Sequence, residues 1–335
     1  MKKCLFIYGN HNIDNLFDPD PAKINFHGQW IALKNKLYEA GIDLISKYSS
    51  ESISPDLEIH LNVWKTKKNS WPKFAILTET NYIHPDNGNM NLLSEYNHLF
   101  SWNHDLVDIG MATKIQFSHP LSEVIVDGFK NRNKFIVLFG SNRSVRGWYP
   151  SNNLYSERIK TIKWFEKNAP DDFSLYGKKW NMTARLPGRV GGFIHSLEKK
   201  LPFKYCPFPS WKGEVENKQD ILLKSRFSIA YENIKGLKSY ITEKIFDAFT
   251  AGNIPVYWGA KDINNYIPKK CFIDRRNFLN HKDLYNYMKN MSEEEYITYQ
   301  KNIKNYVEND SNEFSCKNFA DVVSSKIIEI INNKI

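Results

Sequence analysis

The stretch from Arg226 to Gly259, RFSIAYENIKGLKSYITEKIFDAFTAGNIPVYWG, decides the fold. Arg226 to Tyr231 is a short aromatic and aliphatic run suited to a buried strand. Asn233 to Ser239 carries a glycine and several polar residues and reads as a loop. Thr242 is suited to cap a helix, and Glu243 in the first turn complements the positive end of its dipole. Ile245, Phe246 and Phe249 then share one helical face, and Gly252 stands where a helix stops. The apolar, β-rich IPVYWG reads as a second strand. The stretch is a βαβ unit with Glu243 and Lys244 at the start of its helix. Free N–H groups and a positive dipole end suit that place to phosphate.

Outward from this unit, strands and helices alternate. On the N-terminal side, strands are expected at Lys3–Tyr8, Ile42–Ile45, Leu57–Val63, Phe74–Thr78 and His98–Trp102. A helix at Trp30–Ala40 is closed by Gly41. The polar interval Asp127–Asn133 reads as a linker, after which KFIVLFG (134–140) opens the pattern again. A helix at Tyr155–Lys167, a strand at Phe173–Tyr176 and a helix at Lys218–Lys224 lead into the central unit. Residues 183–213, with their prolines and glycines, read as a long irregular segment of the kind that is usually functional or mobile. Helices at His281–Met291, Glu293–Val307 and Lys317–Asn332 close the chain. Such alternation predicts mostly parallel sheets covered by helices on both faces. The divisions expected are 1–130, 131–280 and a helical extension at 281–335.

The 335 residues, 41% hydrophobic and 14% aromatic, suffice for a real core. The net charge of +9 points to an anionic partner: nucleic acid, a membrane surface or a phosphorylated substrate. Residues 141–220 hold 15 Lys/Arg against 8 Asp/Glu, whereas 281–335 hold 7 against 9. A solvated basic face accounts for part of that surplus. Nucleic-acid binding is disfavoured because the charges do not gather on a recognisable helix or strand ribbon. Cys4, Cys206, Cys271 and Cys316 are scattered, which argues against a zinc site or a disulfide framework and for a reducing compartment. MKKCLFIYGNHNIDN has too short an apolar run for a signal peptide or anchor, and no segment approaches the roughly 20 apolar residues of a membrane span. DPDP (18–21) reads as a turn rather than a metal motif. GRVGG (188–192) lacks the following Lys-Ser/Thr of a phosphate loop.

The blocks YEN (231–233), YITEK (240–244), IPVYWGA (254–260) and YIPKKCFID (266–274) resemble, in order and spacing, the C-terminal signature of the α1,3-fucosyltransferases, glycosyltransferase family 10. The resemblance continues more weakly back to Lys134 and is faint before it. It implies a GT-B-like fold: two Rossmann-like α/β domains facing across a cleft, with C-terminal helices. It implies an inverting transfer of L-fucose from GDP-β-L-fucose to a hydroxyl of an N-acetylglucosamine-containing oligosaccharide or polysaccharide, in an α1,3-type linkage. It also resembles the soluble bacterial members rather than the anchored animal ones. A cytoplasmic protein is expected, with peripheral membrane association left open through the acceptor or the basic surface.

Charge on a departing diphosphate can be met by a metal ion or by fixed cations. Without a convincing DxD or His/Asp cluster, cations are expected and no metal. Lys244 is the first. Arg158, in SERIKTIKWF, matches the arginine that the family places after the opening strand of its C-terminal domain; read alone, it is an exposed helix arginine. A guanidinium can clamp phosphate oxygens bidentately, which an ammonium cannot. The resemblance assigns Glu243 to donor hydroxyls, and Asn233 and Tyr240 to the donor pocket; for Asn233, loop capping competes. Ser141 and Asn142 follow a strand where a βα turn approaches phosphate. For the base, the resemblance favours a glutamate closing an N-terminal strand, and ILTETNYIHP offers Glu79, with Glu95, Asp105 and His104 as rivals. Tyr257 and Trp258 read as core. Two other readings stay open: a relative using a different nucleotide sugar, and a non-catalytic glycan- or nucleotide-binding relative.

Overall fold

Parallel strands and helices alternate from the first residues of this computed structural model, which describes residues 1–8, 16–17, 24–46, 54–65, 70–143, 151–183, 188–198 and 207–333. DPDP (18–21) lies outside them. Contacts group the chain into two units, Met1–Pro120 with Asn312–Ile335, and Leu121–Ser311.

In the first unit, β1 (Lys2–Ile7), β2 (Ile42–Ser46), β3 (Leu57–Leu61), β4 (Lys73–Leu77), β5 (His98–Ser101) and β6 (Ala112–Lys114) form one parallel sheet ordered β2-β1-β3-β4-β5-β6. Helix α1 (Ile24–Glu39) crosses from β1 to β2 and ends at Gly41, whose φ of +79° suits glycine. Trp30, Leu33 and Leu37 of α1 join Cys4, Phe6, Leu44 and Ile59 in the core. The short helices α2 (Met90–Leu93) and α3 (His104–Asp108) flank β5. All five residues of β3 are buried, two of them polar: His60 Nε2 lies 3.0 Å from Glu58 Oε2, and its Nδ1 lies 3.0 Å from the Tyr96 hydroxyl. Their mutual bonding is what makes that burial tolerable.

The second unit's sheet holds β7 (Lys134–Phe139), β8 (Phe173–Tyr176), β9 (Ser225–Tyr231), β10 (Ile254–Trp258) and β11 (Ile273–Asp274), all parallel and ordered β11-β10-β9-β7-β8. Its helices are α4 (Leu154–Asn168), α5 (Gly188–Glu198), α6 (Lys218–Leu223), α7 (Glu243–Thr250), α8 (His281–Asn290) and α9 (Glu293–Asn309). Counted within each unit, the first five strands of both sheets run 2-1-3-4-5. Strand order therefore reverses between β1 and β3, and again between β7 and β9. Ligands of open parallel sheets bind beyond the strands' carboxyl ends at that reversal.

Three expectations from the sequence differ from the structure. Residues 183–213 are not irregular throughout, because 188–198 form α5 and GRVGG is its opening turn; 184–187 and 199–206 lie outside the described residues. The polar stretch 127–133 is bound into the second unit. Arg132, 2% exposed, donates from Nη1 to Ser225 O (2.8 Å), from Nη2 to Ala251 O (2.8 Å) and from Nε to Asp127 Oδ1 (2.9 Å). The extension 281–335 is divided. Helices α8 and α9 stay with the second unit, whereas the last helix, α10 (Cys316–Asn332), packs on α1. Its Phe319, Ala320, Val323, Ile327 and Ile331 form one apolar stripe, and Phe319 meets Trp30 edge-on at 5.5 Å.

Helix α8 starts at His281, whose Nε2 lies 2.9 Å from Thr161 Oγ1 of α4, with its ring stacked on Trp164. Burial first, and the Arg275 charge second, bring its pKa down from 6.5 to about 4. The folded protein thus holds His281 neutral where the unfolded chain would protonate it, so stability falls as pH drops from about 6.5 towards 4. Because the ring is only half-buried, solvent trims this to about 1 kcal/mol. Denaturant titrations at pH 7 and pH 5 are expected to differ by about that much, and His281→Gln should flatten the difference.

Candidate functional site

The carboxyl end of β9 runs into Glu232 and Asn233, directly at the β7/β9 reversal. Three carbonyl or amide oxygens gather there and need donors. Arg158, 6% exposed on α4, supplies one nitrogen to all three: Nη2 donates to Tyr231 O (2.6 Å), Glu232 O (2.8 Å) and Asn233 Oδ1 (3.1 Å). Its guanidinium lies over the Tyr155 ring at 4.9 Å. Nη1 and Nε have no hydrogen-bond partner among the described residues, which leaves them for an incoming anion. The helix is aimed by its own cap and by the loop beyond β9. Asn153 Oδ1 accepts from Tyr155 N at 2.8 Å, and Leu154 N donates to Asn233 O at 3.0 Å.

Glu232 is fully buried, and its partners fix the start of α7. Oε1 accepts from Thr242 N (2.8 Å), while Oε2 accepts from Thr242 Oγ1 (2.7 Å) and Lys244 Nζ (3.2 Å). Thr242 does stand at the N-cap, but its hydroxyl makes no capping bond because it is turned to Glu232. Lys244 Nζ also donates to Thr242 Oγ1 (2.7 Å) and reaches Glu243 Oε1 at 3.2 Å. Burial, the largest single influence, would lower the Lys244 pKa. The Glu232 and Glu243 carboxylates together outweigh it and Arg158 opposes them, so the ammonium is held well above the ordinary lysine value. It stays charged throughout the physiological range.

Gly259 closes this site from the β10 side. A Cβ there would fall 2.3 Å from Glu232 Cγ and 2.4 Å from the Tyr257 hydroxyl, which accepts from Ala260 N. Since Glu232 is held at both oxygens, it has nowhere to move. Gly259→Ala is expected to destabilise the fold by about 1–3 kcal/mol, read from the denaturant midpoint, because Glu232 cannot make room. The α7 stop behaves as expected: Gly252 has φ +61° and its Cβ would lie 2.1 Å from Ile125 O.

Arg158, Asn233, Tyr240, Glu243 and Lys244 are therefore brought together in one unit. Asn233 Nδ2 donates to the buried Tyr240 hydroxyl at 3.3 Å, so Asn233 joins Arg158 to Tyr240. Glu243 is the outward member, its side chain 42% exposed. Asn142 is committed elsewhere, its Nδ2 donating to the Lys179, Met182 and Thr183 carbonyls. Tyr257 is fully buried, and Trp258 is partly buried against the same unit's core with Lys235 Nζ 4.9 Å from its ring. Sequence reasoning missed Glu232, although the acid in YEN, placed where a buried strand ends, was the available signal.

Glu79 belongs to the first unit, just past β4. Its N–H donates to Asn62 Oδ1 (3.0 Å) and its carbonyl accepts from Asn87 Nδ2 (2.8 Å). Asn62, at φ +60°, also accepts from Thr78 N and Asn87 Nδ2, so this turn is rigidly keyed to β3. The Glu79 charge adds to burial in raising the Tyr8 pKa. Of the rivals, Glu95 and Asp105 are exposed, and His104 Nε2 lies 3.1 Å from Lys114 Nζ. Among the described residues, no group of three or more His, Cys, Asp or Glu side chains could hold a metal ion, and no helix is long and apolar enough to cross a membrane.

Residues 171–330 match the family model described as glycosyltransferase family 10 (fucosyltransferase) C-term. The chain is 35% identical over 75 residues to an alpha-(1,3)-fucosyltransferase of Helicobacter pylori, which is 22% of this chain and 16% of that protein. It is 33% identical over 69 residues to an alpha-(1,4)-fucosyltransferase of Arabidopsis thaliana, covering 21% and 17%. The match thus spans about a sixth of these relatives' length. In structure it resembles an alpha1,3-fucosyltransferase solved with GDP (TM-score 0.52, 14% identity, 98% of this chain and 89% of that one). It also resembles an alpha-glucosyltransferase solved with UDP and DNA (TM-score 0.55, 11% identity, 98% and 100%). At such identities the likeness establishes the fold: the α/β GT-B class with two parallel sheets.

Proposed function

We propose, from the premise that residues 171–330 are the C-terminal domain of a family 10 glycosyltransferase, that the protein transfers L-fucose from GDP-β-L-fucose to a glycan hydroxyl with inversion. The observation that carries the reading is the convergence of Arg158 and Lys244 on the end of β9, held there by Glu232. Two fixed cations at the strand reversal suit a nucleotide diphosphate.

In this reading an acceptor oxygen attacks C1 of fucose. The C1–O bond to GDP breaks, its electron pair stays on the β-phosphate, and the acceptor proton passes to the Glu79 carboxylate. Arg158 receives the diphosphate on its free Nη1 and Nε. Lys244 receives it by exchanging its Glu243 contact, which frees Glu243 for the ribose hydroxyls. Asn233 and Tyr240 line the donor pocket and fix the guanidinium. No metal takes part, because the two cations do its work. The acceptor is an N-acetylglucosamine-containing oligosaccharide or polysaccharide of a surface-glycan route, linked α1,3. The compartment is the cytoplasm, consistent with Cys4, Cys271 and Cys316 being free thiols.

The test is a donor screen: GDP-fucose, other GDP-sugars and UDP-sugars, each with acceptor and with or without chelator, read as nucleotide release. Turnover of GDP-fucose unaffected by chelator is expected. Turnover of a UDP-sugar alone, or only with manganese, overturns the donor and the metal-free assignment. GDP binding with no turnover on any donor favours a non-catalytic relative.

A further inference from the structure

A cavity of about 560 Å³ opens at the outer edge of the second unit's sheet, beside β11. That volume lies within the ordinary range of small-ligand sites. Its walls combine aromatic rings (Phe272, Phe278, Tyr287 and Tyr299) with cations from Lys261, Lys269 and Arg276. Phe278 and Tyr287 lie 5.5 Å apart, and the Tyr287 hydroxyl is fixed between Glu295 Oε1 (2.8 Å) and the Tyr299 hydroxyl (3.0 Å). Arg276 is immobilised as a fork on Asp274, with Nε 2.8 Å from Oδ1 and Nη2 2.7 Å from Oδ2, so its charge is balanced. Lys261 and Lys269 are exposed and in no ion pair among the described residues. The cavity therefore presents fixed aromatic surface under a rim with two unbalanced positive charges.

We propose that this cavity is a saccharide-binding site for an anionic sugar residue. Aromatic surface suits the apolar C–H face of a pyranose. The Asn264 and Asn277 amides, also in the wall, can donate to and accept from hydroxyls. The unpaired lysines call for a carboxylate or phosphate on the same sugar. The cavity is also wired to the donor loop. Lys261 N donates to Leu237 O (3.3 Å), Gly236 N to Gly259 O (2.9 Å), and Asp262 Oδ1 accepts from Ser239 N (2.8 Å). One side of the 259–262 turn thus lines the cavity, and the other holds the loop that ends at Tyr240. The occupant we assign is an acidic residue of a longer glycan substrate, gripped away from its reacting end; that the glycan is a substrate rests on the transfer reaction proposed above.

The experiment is calorimetric titration of the full chain with tetragalacturonate, with chitotetraose and inorganic phosphate as separate arms. Tetragalacturonate should bind at least tenfold tighter than neutral chitotetraose, and equal phosphate should not displace it. The double variant Lys261→Ala/Lys269→Ala should weaken it by roughly tenfold. Both side chains are exposed, so folding is not at risk; Lys269→Gln alone should show a smaller loss in the same direction. No binding, equal binding by the double variant, or displacement by phosphate overturns the assignment. Lysine-dependent binding in a protein that turns over no nucleotide sugar would overturn the transfer reading and leave the cavity standing. Turnover without such binding does the reverse.

Discussion

Replacing Lys244 with alanine is expected to lower GDP release from GDP-fucose, with acceptor present, by about two orders of magnitude or more. The reason is where the ammonium sits. Its side chain is only 17% exposed, at the start of α7, with its charge secured by Glu232 and Glu243. A cation held in place before the reaction needs no reorganisation when negative charge develops on the leaving diphosphate. Arg158→Ala should cost a similar factor for a complementary reason: it removes the planar donor set, and it strips Tyr231 O and Glu232 O of their buried donor. Both variants should lower the denaturant midpoint, Lys244→Ala because it leaves the buried Glu232 carboxylate without its counterion and Arg158→Ala because it orphans two carbonyls. Steady-state kcat is therefore compared on the folded fraction of each. Arg158→Lys keeps the charge but not the fork, and should recover little activity.

Removing the Glu232 carboxylate is the second large effect. Glu232→Ala is expected to cost about 3–5 kcal/mol of stability, because it leaves the Lys244 ammonium without its buried counterion and orphans the Thr242 N–H. Both contacts fix the entry to α7, so the loss should reach function as well as folding. The isosteric Glu232→Gln separates the two roles. Its amide oxygen can still accept from Thr242 N and its NH2 can donate to the Thr242 hydroxyl, so it should fold at a smaller cost, while that NH2 sets a donor against the Lys244 ammonium. GDP affinity should then fall even where the folded state persists. Calorimetric unfolding beside GDP titration checks both variants.

The sequence disclosed the second unit's centre because several independent signals agree there. The aromatic run of β9, the acidic first turn of α7, Gly252 at a positive φ and the β-rich run of β10 all favour one local arrangement. The place of Lys244 at a helix start could be read locally, whereas its assignment to a diphosphate leaned on the resemblance. Arg158 could not be read from its helix alone, because nothing local says that α4 turns it inward; the oxygens that hold it come from residues 231–233, across the sheet. Glu232 was hidden for a related reason. A carboxylate in a strand-end motif looks solvent-bound until its partners at 242 and 244 fold back over it. The destination of α10 was likewise unreadable, since an apolar stripe shows that a helix must pack but not against what. Arg132 shows the same limit: a charged residue in a polar run reads as linker until two carbonyls from distant segments, those of Ser225 and Ala251, close on it.

The central claim is that side chains fixed at the end of β9 hold the pyrophosphate. The most direct measurement is a crystal structure of the chain with GDP. The account predicts β-phosphate oxygens within hydrogen-bonding distance of Lys244 Nζ and the Arg158 guanidinium, with Glu243 released towards the ribose. Nucleotide bound away from residues 240–244, or a diphosphate held by a metal ion with neither cation in reach, would contradict it.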